Sequence, residues 1–372
     1  VRLAYFYDRP FPAPLAAPIQ ILNTCRAAAE LGAEVGVYVR RLTAAGEEEC
    51  LSYYGLTPHE RLRILRLGSR WARTWSRRRL RRALREICAA EAPSAIVSRG
   101  PAAAEVAAEL EELRARRAWR FVLELHHLTG GEEERRTVAA ADALVCVNRP
   151  LAQAAERAFG AGRPILVLPS GTRVPPEPLR RPSPDYDVLF AGKLTRGQGV
   201  RVAIEAMRFL PGRRLLVLGG TPAELHALAG EAERLGLADR VVFEGFVPPV
   251  RVPAYLARAR VGVCPYPTDV GLSEFMRPGG SLKLLELLAN GIPAVASDLG
   301  WIRDLAVHGR DAWLVEPDSP EALAEGVRTL LDDPALASRL AEAGRERAAE
   351  YSWERRAARL LEFVDSLHPR AV

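Results

Sequence analysis

Lysine is almost absent from this chain: Lys193 and Lys283 are its only two, against fifty arginines in 372 residues. No apolar run reaches the length of a membrane-spanning helix, so a helical membrane protein is excluded. Cysteine is sparse as well. Cys25, Cys50, Cys88, Cys146 and Cys264 are scattered and odd in number, which argues against a disulfide framework or a paired-cysteine zinc site and for a reducing cytoplasm. No cluster of histidines and acids with metal spacing is read, and no metal or bound cofactor is expected. The chain opens Val1-Arg2-Leu3-Ala4-Tyr5-Phe6-Tyr7, a first strand rather than a cationic leader.

What is present is alternation. Apolar runs of strand length are separated by helical patterns from end to end, which predicts parallel sheets covered by helices on both faces. In the first half the strand-like runs are 3–7, 34–39, 95–98, 120–125, 143–147 and 165–168, with helical segments such as 19–31, 102–114 and 150–158. Prolines at 175, 176, 178, 182 and 184 then interrupt the pattern. Proline cannot donate to a ladder, so residues 174–185 read as a linker. Strand-like runs resume at 187–191, 214–218, 241–244, 261–265, 293–296 and 312–315. The expectation is an α/β chain of two tandem doubly wound Rossmann-like domains: 1–173, rejoined by 353–372, and 186–352. They would face each other across a cleft, closing about the linker to exclude water.

Both lysines fall in glycine-rich segments of the second half. The first segment runs from Asp187 through Ala191-Gly192-Lys193-Leu194-Thr195-Arg196-Gly197-Gln198-Gly199-Val200, a strand, a loop and a helix start. Glycines let the backbone approach a ligand, and Lys193 and Arg196 add full charge. No Gly-Lys-Ser/Thr follows, so it is not a Walker loop. The second is Pro278-Gly279-Gly280-Ser281-Leu282-Lys283-Leu284-Leu285-Glu286, opening a helix at the double glycine and ending it at Asn290-Gly291. Lys283 and Glu286 share a helix face. A cation beside a phosphate and an acid one turn on, accepting from two ribose hydroxyls, make a nucleoside diphosphate clamp. The alternative is a simple ion pair between the two. Gly245-Phe246-Val247, at the end of a third strand, offers backbone groups to a base edge.

These segments resemble the retaining GT-B glycosyltransferases of family 4, the group 1 transferases, from about residue 186 to 352. Gly192-Lys193-Leu194…Gln198-Gly199 is similar to the family's donor loop. The stretch from Lys283 to Ser297 is similar to its ribose-binding helix and following strand, with Glu286 as the matched acid. Tyr351-Ser352-Trp353-Glu354 resembles the C-terminal motif, after which the last helix crosses back. The resemblance implies transfer of a hexosyl unit from a UDP- or GDP-linked sugar, with retention and without a metal. The nucleotide sugar is then a co-substrate, and Lys193, Lys283 and the amides of Gly279 and Gly280 stabilise the leaving diphosphate. It also matches His126, at the end of Leu123-Glu124-Leu125-His126-His127, to the family's cleft histidine, with His127 as fallback and a structural histidine pair as the alternative. Two positions depart from the pattern. Pro278 stands where many members carry an acid, with Glu274 and Asp269 as candidate substitutes. Gln198 replaces a lysine, which leaves Arg196 or Arg277 as the second diphosphate cation.

An arginine-rich stretch, Arg70 to Arg85, carries Trp71, Trp75, Leu80 and Leu84 on one stripe. It reads as a basic amphipathic helix for an anionic membrane surface or a phosphorylated acceptor, or as a packed helix with a solvated arginine face. The expected site is cytoplasmic, peripheral to the inner face of the membrane, with no nucleic-acid partner and a monomeric or homodimeric state. Rival readings are a nucleotide-dependent oxidoreductase, whose nearest glycine motif is Gly160-Ala161-Gly162, a nucleotide-sugar epimerase or phosphorylase of the same fold, and a degenerate nucleotide-binding protein.

Overall fold

A computed structural model describes residues 1–68, 76–89, 94–100, 102–113, 119–160, 162–180, 184–268 and 281–367. The chain divides into two compact units. The first holds residues 1–171 and the C-terminal helix; the second holds 172–272 and 281–352.

In the first unit strands and helices alternate: β1 (Arg2–Phe11), α1 (Ala16–Glu30), β2 (Glu34–Leu42), α2 (Glu47–Tyr53), β3 (Leu62–Arg66), α3 (Arg77–Cys88) and β4 (Ser94–Arg99). Then follow α4 (Ala102–Glu111), β5 (Trp119–Leu125), α5 (Glu132–Ala140), β6 (Ala143–Cys146), α6 (Arg149–Phe159) and β7 (Ile165–Val167). Among the described residues the strands form one sheet in the order β3-β2-β1-β4-β5-β6-β7. Every described pairing is parallel, so the connections must cross over, and the order reverses between β1 and β4. Ligand crevices open at such reversals, beyond the carboxyl ends of the strands.

The second unit carries β8 (Tyr186–Ala191), α7 (Val200–Ala206), β9 (Leu215–Leu218), α8 (Pro222–Arg234), β10 (Val241–Gly245), α9 (Val252–Leu256) and β11 (Ala259–Cys264). It continues with α10 (Leu282–Ala289), β12 (Ala294–Ser297), α11 (Gly300–Arg303), β13 (Trp313–Val315), α12 (Pro320–Asp332) and α13 (Pro334–Ala349). Its parallel sheet runs β10-β9-β8-β11-β12-β13, reversing between β8 and β11. Successive strand side chains point to opposite faces. Val188, Phe190, Val217 and Val263 therefore pack with α7 and α12, while Leu189, Leu216, Leu218 and Cys264 pack with α10 and α11. Two apolar faces explain why these strands read as continuous hydrophobic runs. The last helix, α14 (Trp353–Ser366), belongs to the first unit and lies along α1, where Arg356 donates to Thr24.

The structure departs from the sequence expectation in three places. Strand β3 has no counterpart among the expected strands, because it is an edge strand whose pattern Leu-Arg-Ile-Leu-Arg buries only Leu62 and Ile64. The arginine-rich helix begins at Arg77 rather than Arg70: the Ser76 side chain caps it by accepting from the Arg79 amide, and residues 69–75, with Trp71 and Trp75, lie outside the described ones. Helix α10 begins at Leu282, with the Ser281 hydroxyl accepting from the Leu284 amide, rather than at the double glycine. The proline segment sits with the second unit: Arg345 donates to the carbonyls of Pro175 and Pro176, and the Leu179 amide donates to Asn290.

Candidate functional site

In the second unit the reversal of strand order places the loop after β8 and the helix after β11 at one edge of the sheet. The loop after β8 makes a single 3-10 turn at 196–198 and then passes through Gly199 at φ 72°. A Cβ at Gly199 would meet the Pro265 carbonyl oxygen at 1.6 Å, so the loops after β8 and β11 touch backbone to backbone. Only glycine satisfies both the left-handed backbone and that approach. A Cβ at Gly192 would come within 3.1 Å of Lys283 Cε. The bare backbone at 192 thus leaves the lysine its place.

The two lysines, alike in sequence, end in opposite environments. Lys193 and Arg196 are exposed, and neither side chain makes a hydrogen bond or ion pair with a described residue. Lys283 is buried. Its ammonium stands 3.8 Å from the Phe190 ring centre and 4.8 Å from that of Tyr266, and among the described residues only the Gln198 carbonyl oxygen, at 3.5 Å, accepts from it. Among the described residues no carboxylate pairs with it, and burial pushes its pKa down to about 8. Glu286, one turn on, makes no ion pair with Lys283. Its side chain is enclosed but not sealed, and burial pushes the carboxyl up to about 7. The simple helical ion pair is therefore not what these residues form. Tyr266 shares a 2.8 Å hydrogen bond with the Ser281 hydroxyl that caps α10, which ties the ring beside Lys283 to the helix start.

Other candidates fall differently. Gly245 ends β10 with its carbonyl accepting from the Gly219 amide at 2.6 Å, so that group is already engaged; the neighbouring Phe246 is exposed and Val247 buried. Leu282 is half-buried in the first turn of α10. Asp269, Glu274, Arg277, Pro278, Gly279 and Gly280 lie outside the described residues. Gly160 caps the end of helix α6, so the glycine motif of the oxidoreductase reading does not follow a strand. The sequence also carries one Asp-x-Asp triplet, Asp185-Tyr186-Asp187, which the metal-free expectation leaves out of account. It lies at the amino end of β8, where Arg258 binds Asp185 and Arg213 and the Arg214 amide bind Asp187.

In the first unit His126 follows β5 at the carboxyl edge and keeps 21% of its side-chain surface. Its partner was not legible in sequence: the buried Glu124, two residues earlier. Glu124 Oε1 accepts from Gln20 Nε2 at 2.6 Å, from His126 Nε2 at 2.8 Å and from Arg356 at 3.0 Å, while Oε2 accepts from the Tyr5 hydroxyl at 2.5 Å. Burial alone would raise this carboxyl; Arg356, His126 and Arg99 outweigh it and hold it ionised, well below the usual range. A carboxylate has no proton to give, so the proton between it and the imidazole sits on His126 Nε2. Nδ1 is then the ring's basic nitrogen. Burial first, and then the Arg99 charge, push the imidazole down to about 4, so it is neutral at pH 7. The signal available in sequence was a lone acid inside the apolar run of β5. Its partners, from β1, α1, β4 and α14, gave none. The cysteines are buried, with the thiols of Cys50, Cys88, Cys146 and Cys264 pushed up to about 12 by burial, which makes them inert.

Two family profiles match the chain and together span it from 17 to 347. The one described as Glycosyltransferase Family 4 matches residues 17–174 and the one described as Glycosyl transferases group 1 matches 175–347. The chain is 31% identical over 250 residues to the D-inositol 3-phosphate glycosyltransferase of Xylanimonas cellulosilytica, covering 62% of this chain and 58% of that protein. It is 30% identical over 258 residues to the alpha-maltose-1-phosphate synthase of Mycolicibacterium smegmatis, covering 62% and 64%. The chain thus spans less than two thirds of the length of these relatives. In fold it is similar to the sucrose-phosphate synthase of Thermosynechococcus elongatus, with a TM-score of 0.75 at 22% identity over 98% of each chain. The Anabaena protein HepE, solved in complex with UDP, gives 0.73 at 17% identity, covering 98% of this chain and 100% of that one. Both sheets therefore belong to a GT-B arrangement of two Rossmann-like units. No helix among the described residues is long and apolar enough to cross a membrane.

Proposed function

Since the chain belongs to the group 1 transferases of glycosyltransferase family 4, we propose that it moves a hexosyl unit from a nucleotide sugar to an acceptor, with retention at the anomeric carbon. Lys283 carries the reading. A buried ammonium with no carboxylate partner among the described residues, at the carboxyl edge where strand order reverses, is a receptor waiting for an anion. The diphosphate released by transfer is such an anion, and its charge grows in the transition state. Lys193 and Arg196, exposed on the loop after β8, supply further cations for the outer phosphate. Glu286 accepts from the ribose hydroxyls, and Phe246 and Val247 border the base.

These cations do the work that a divalent ion would otherwise do, so the reaction is metal-independent in this reading. His126 accepts a hydrogen bond from a sugar hydroxyl through Nδ1 while Glu124 holds the ring in that tautomer. The leaving nucleotide is UDP or GDP: HepE is solved with UDP, and a relative from Mycolicibacterium smegmatis is named GDP-mannose-dependent. The exposed arginines of α3 would touch an anionic membrane surface from the cytoplasmic side. Salt-sensitive sedimentation with phosphatidylglycerol vesicles checks this, and no binding removes it.

Thermal stabilisation by UDP, GDP, ADP and NAD, with EDTA present, tests the whole proposal beside Lys283→Ala and Glu286→Ala. A shift with one nucleoside diphosphate, lost in both variants, is the expected result. Stabilisation by NAD alone would overturn it. Turnover that needs no acceptor would favour an epimerase, and tight binding without turnover would favour a degenerate site. Proton NMR of the product's anomeric signal decides retention.

A further inference from the structure

Around Glu124 the charges do not balance. Arg356 uses all three guanidinium nitrogens: it donates to Glu124 at 3.0 Å, to Thr24 Oγ1 at 3.0 Å, to the Leu168 carbonyl at 2.7 Å and to the Pro169 carbonyl. Glu124 is in turn saturated by Gln20, His126, Arg356 and Tyr5. A second guanidinium stands beside this closed set. Arg99 ends β4, its side chain only 12% exposed, with its NH1 3.8 Å from Glu124 Oε1, too far for a hydrogen bond. That NH1 is buried and has no hydrogen-bond partner among the described residues.

One carboxylate faces two guanidiniums beside a neutral imidazole, so one positive charge is left over next to His126. Among the described residues no other acid answers it: Asp8, at the neighbouring end of β1, is 3.7 Å from Arg40 and interacts with Arg40 and Arg9. The Arg99 guanidinium lies 6.0 Å from the Tyr7 ring centre, and β1 and β4 are the two strands between which the sheet order reverses. The surplus cation therefore occupies the place where this kind of sheet takes its ligands. A buried donor without a partner is rare enough in native proteins to need a reason.

We infer that Arg99 is the receptor for an anionic group, a phosphate monoester, on the acceptor that this unit binds beside His126. The inference rests on the transferase reading and narrows its acceptor from any hydroxyl compound to a phosphorylated one. An arginine fork matches the oxygens of a phosphate two at a time, which a neutral sugar cannot reproduce. A sugar carboxylate offers the same charge on a smaller head, and the test separates the two.

The test is calorimetric titration of the full chain, saturated with UDP or GDP so that the donor loop is occupied. Glucose 6-phosphate, glycerol 3-phosphate, inorganic phosphate, glucuronate and glucose are the probes. At least one phosphate compound should bind where glucose does not. Arg99→Gln should weaken that binding roughly tenfold to a hundredfold, the range expected for hydrogen bonds to a charged group, and Arg99→Lys should weaken it less. Arg99→Gln should melt no lower than the wild type, since it removes a surplus charge; a merely structural arginine would lower it. Equal binding by wild type and Arg99→Gln overturns the inference, as does the absence of phosphate binding in a wild type that binds nucleotide. Glucuronate binding in place of phosphate overturns the choice of phosphate. The nucleotide arm reads the donor site separately: its failure with Arg99-dependent phosphate binding intact would sink the transferase reading and leave the anion site standing.

Discussion

Replacing Lys283 by methionine keeps the stem of the side chain and removes the charge, and its consequences follow from the burial of that charge. The ammonium titrates near 8 rather than 10.5. Between those values the unfolded chain holds a proton that the folded protein has lost, so stability rises with pH across that window. At about 1.4 kcal/mol per unit the burden is roughly 3 kcal/mol at pH 7 and roughly 1.5 kcal/mol at pH 9.5. The faces of Phe190 and Tyr266 return part of it, about 0.5–2 kcal/mol each, and the long contact to the Gln198 carbonyl little. The methionine variant without ligand should therefore gain at most roughly 2 kcal/mol on the wild type at neutral pH. The advantage should shrink at pH 9.5. Stabilisation by the nucleoside diphosphate should vanish in the same variant. Thermal melts at both pH values, with and without UDP or GDP, read all three effects. A variant less stable than wild type at both pH values, with its nucleotide response intact, would refute the reasoning and make Lys283 a structural cation.

Nucleotide affinity should be bell-shaped in pH, rising as the Glu286 carboxyl ionises near 7 and falling as Lys283 loses its proton near 8. Calorimetric titration of Glu286→Gln should flatten the acid limb alone. Gly199→Ala should cost roughly 3 kcal/mol or more, from the left-handed backbone and the clash with the Pro265 carbonyl, and should weaken nucleotide binding. A urea midpoint close to that of wild type would contradict the close packing of the two loops. Glu124→Gln should cost about 3–5 kcal/mol by leaving Arg356 buried without its counter-charge, read as a lower melting temperature. Stability should also fall as the pH drops from 6.5 towards 4, because the unfolded chain takes up a proton that folded His126 refuses. His126→Gln should remove that slope while leaving the loss below 4.5 that belongs to Glu124.

Local pattern was enough to read the architecture. The alternating apolar runs of β1, β5, β8 and β11 bury both faces, and each is followed by turn residues and a helix, so these strands and their parallel arrangement were legible from period and spacing. The glycines at 192 and 199 marked the loop for the same local reason: backbone freedom is written in single residues. Strand β3 escaped because an edge strand needs to bury only one side, and its two arginines look like loop. Charge is different. Lys193 and Lys283 sit in similar glycine-rich contexts, yet one is solvated and the other lies between two aromatic rings from separate segments. Glu124, Arg99 and Arg356 come from β5, β4 and α14, and nothing in their sequence neighbours says which pairs with which. The alternation of strand and helix and the parallel, doubly wound class follow from propensity and periodicity, which are local, and the sequence alone determined them. The ionisation and partners of a side chain depend on desolvation and on charges a few ångströms away in space, and only the tertiary structure decided those.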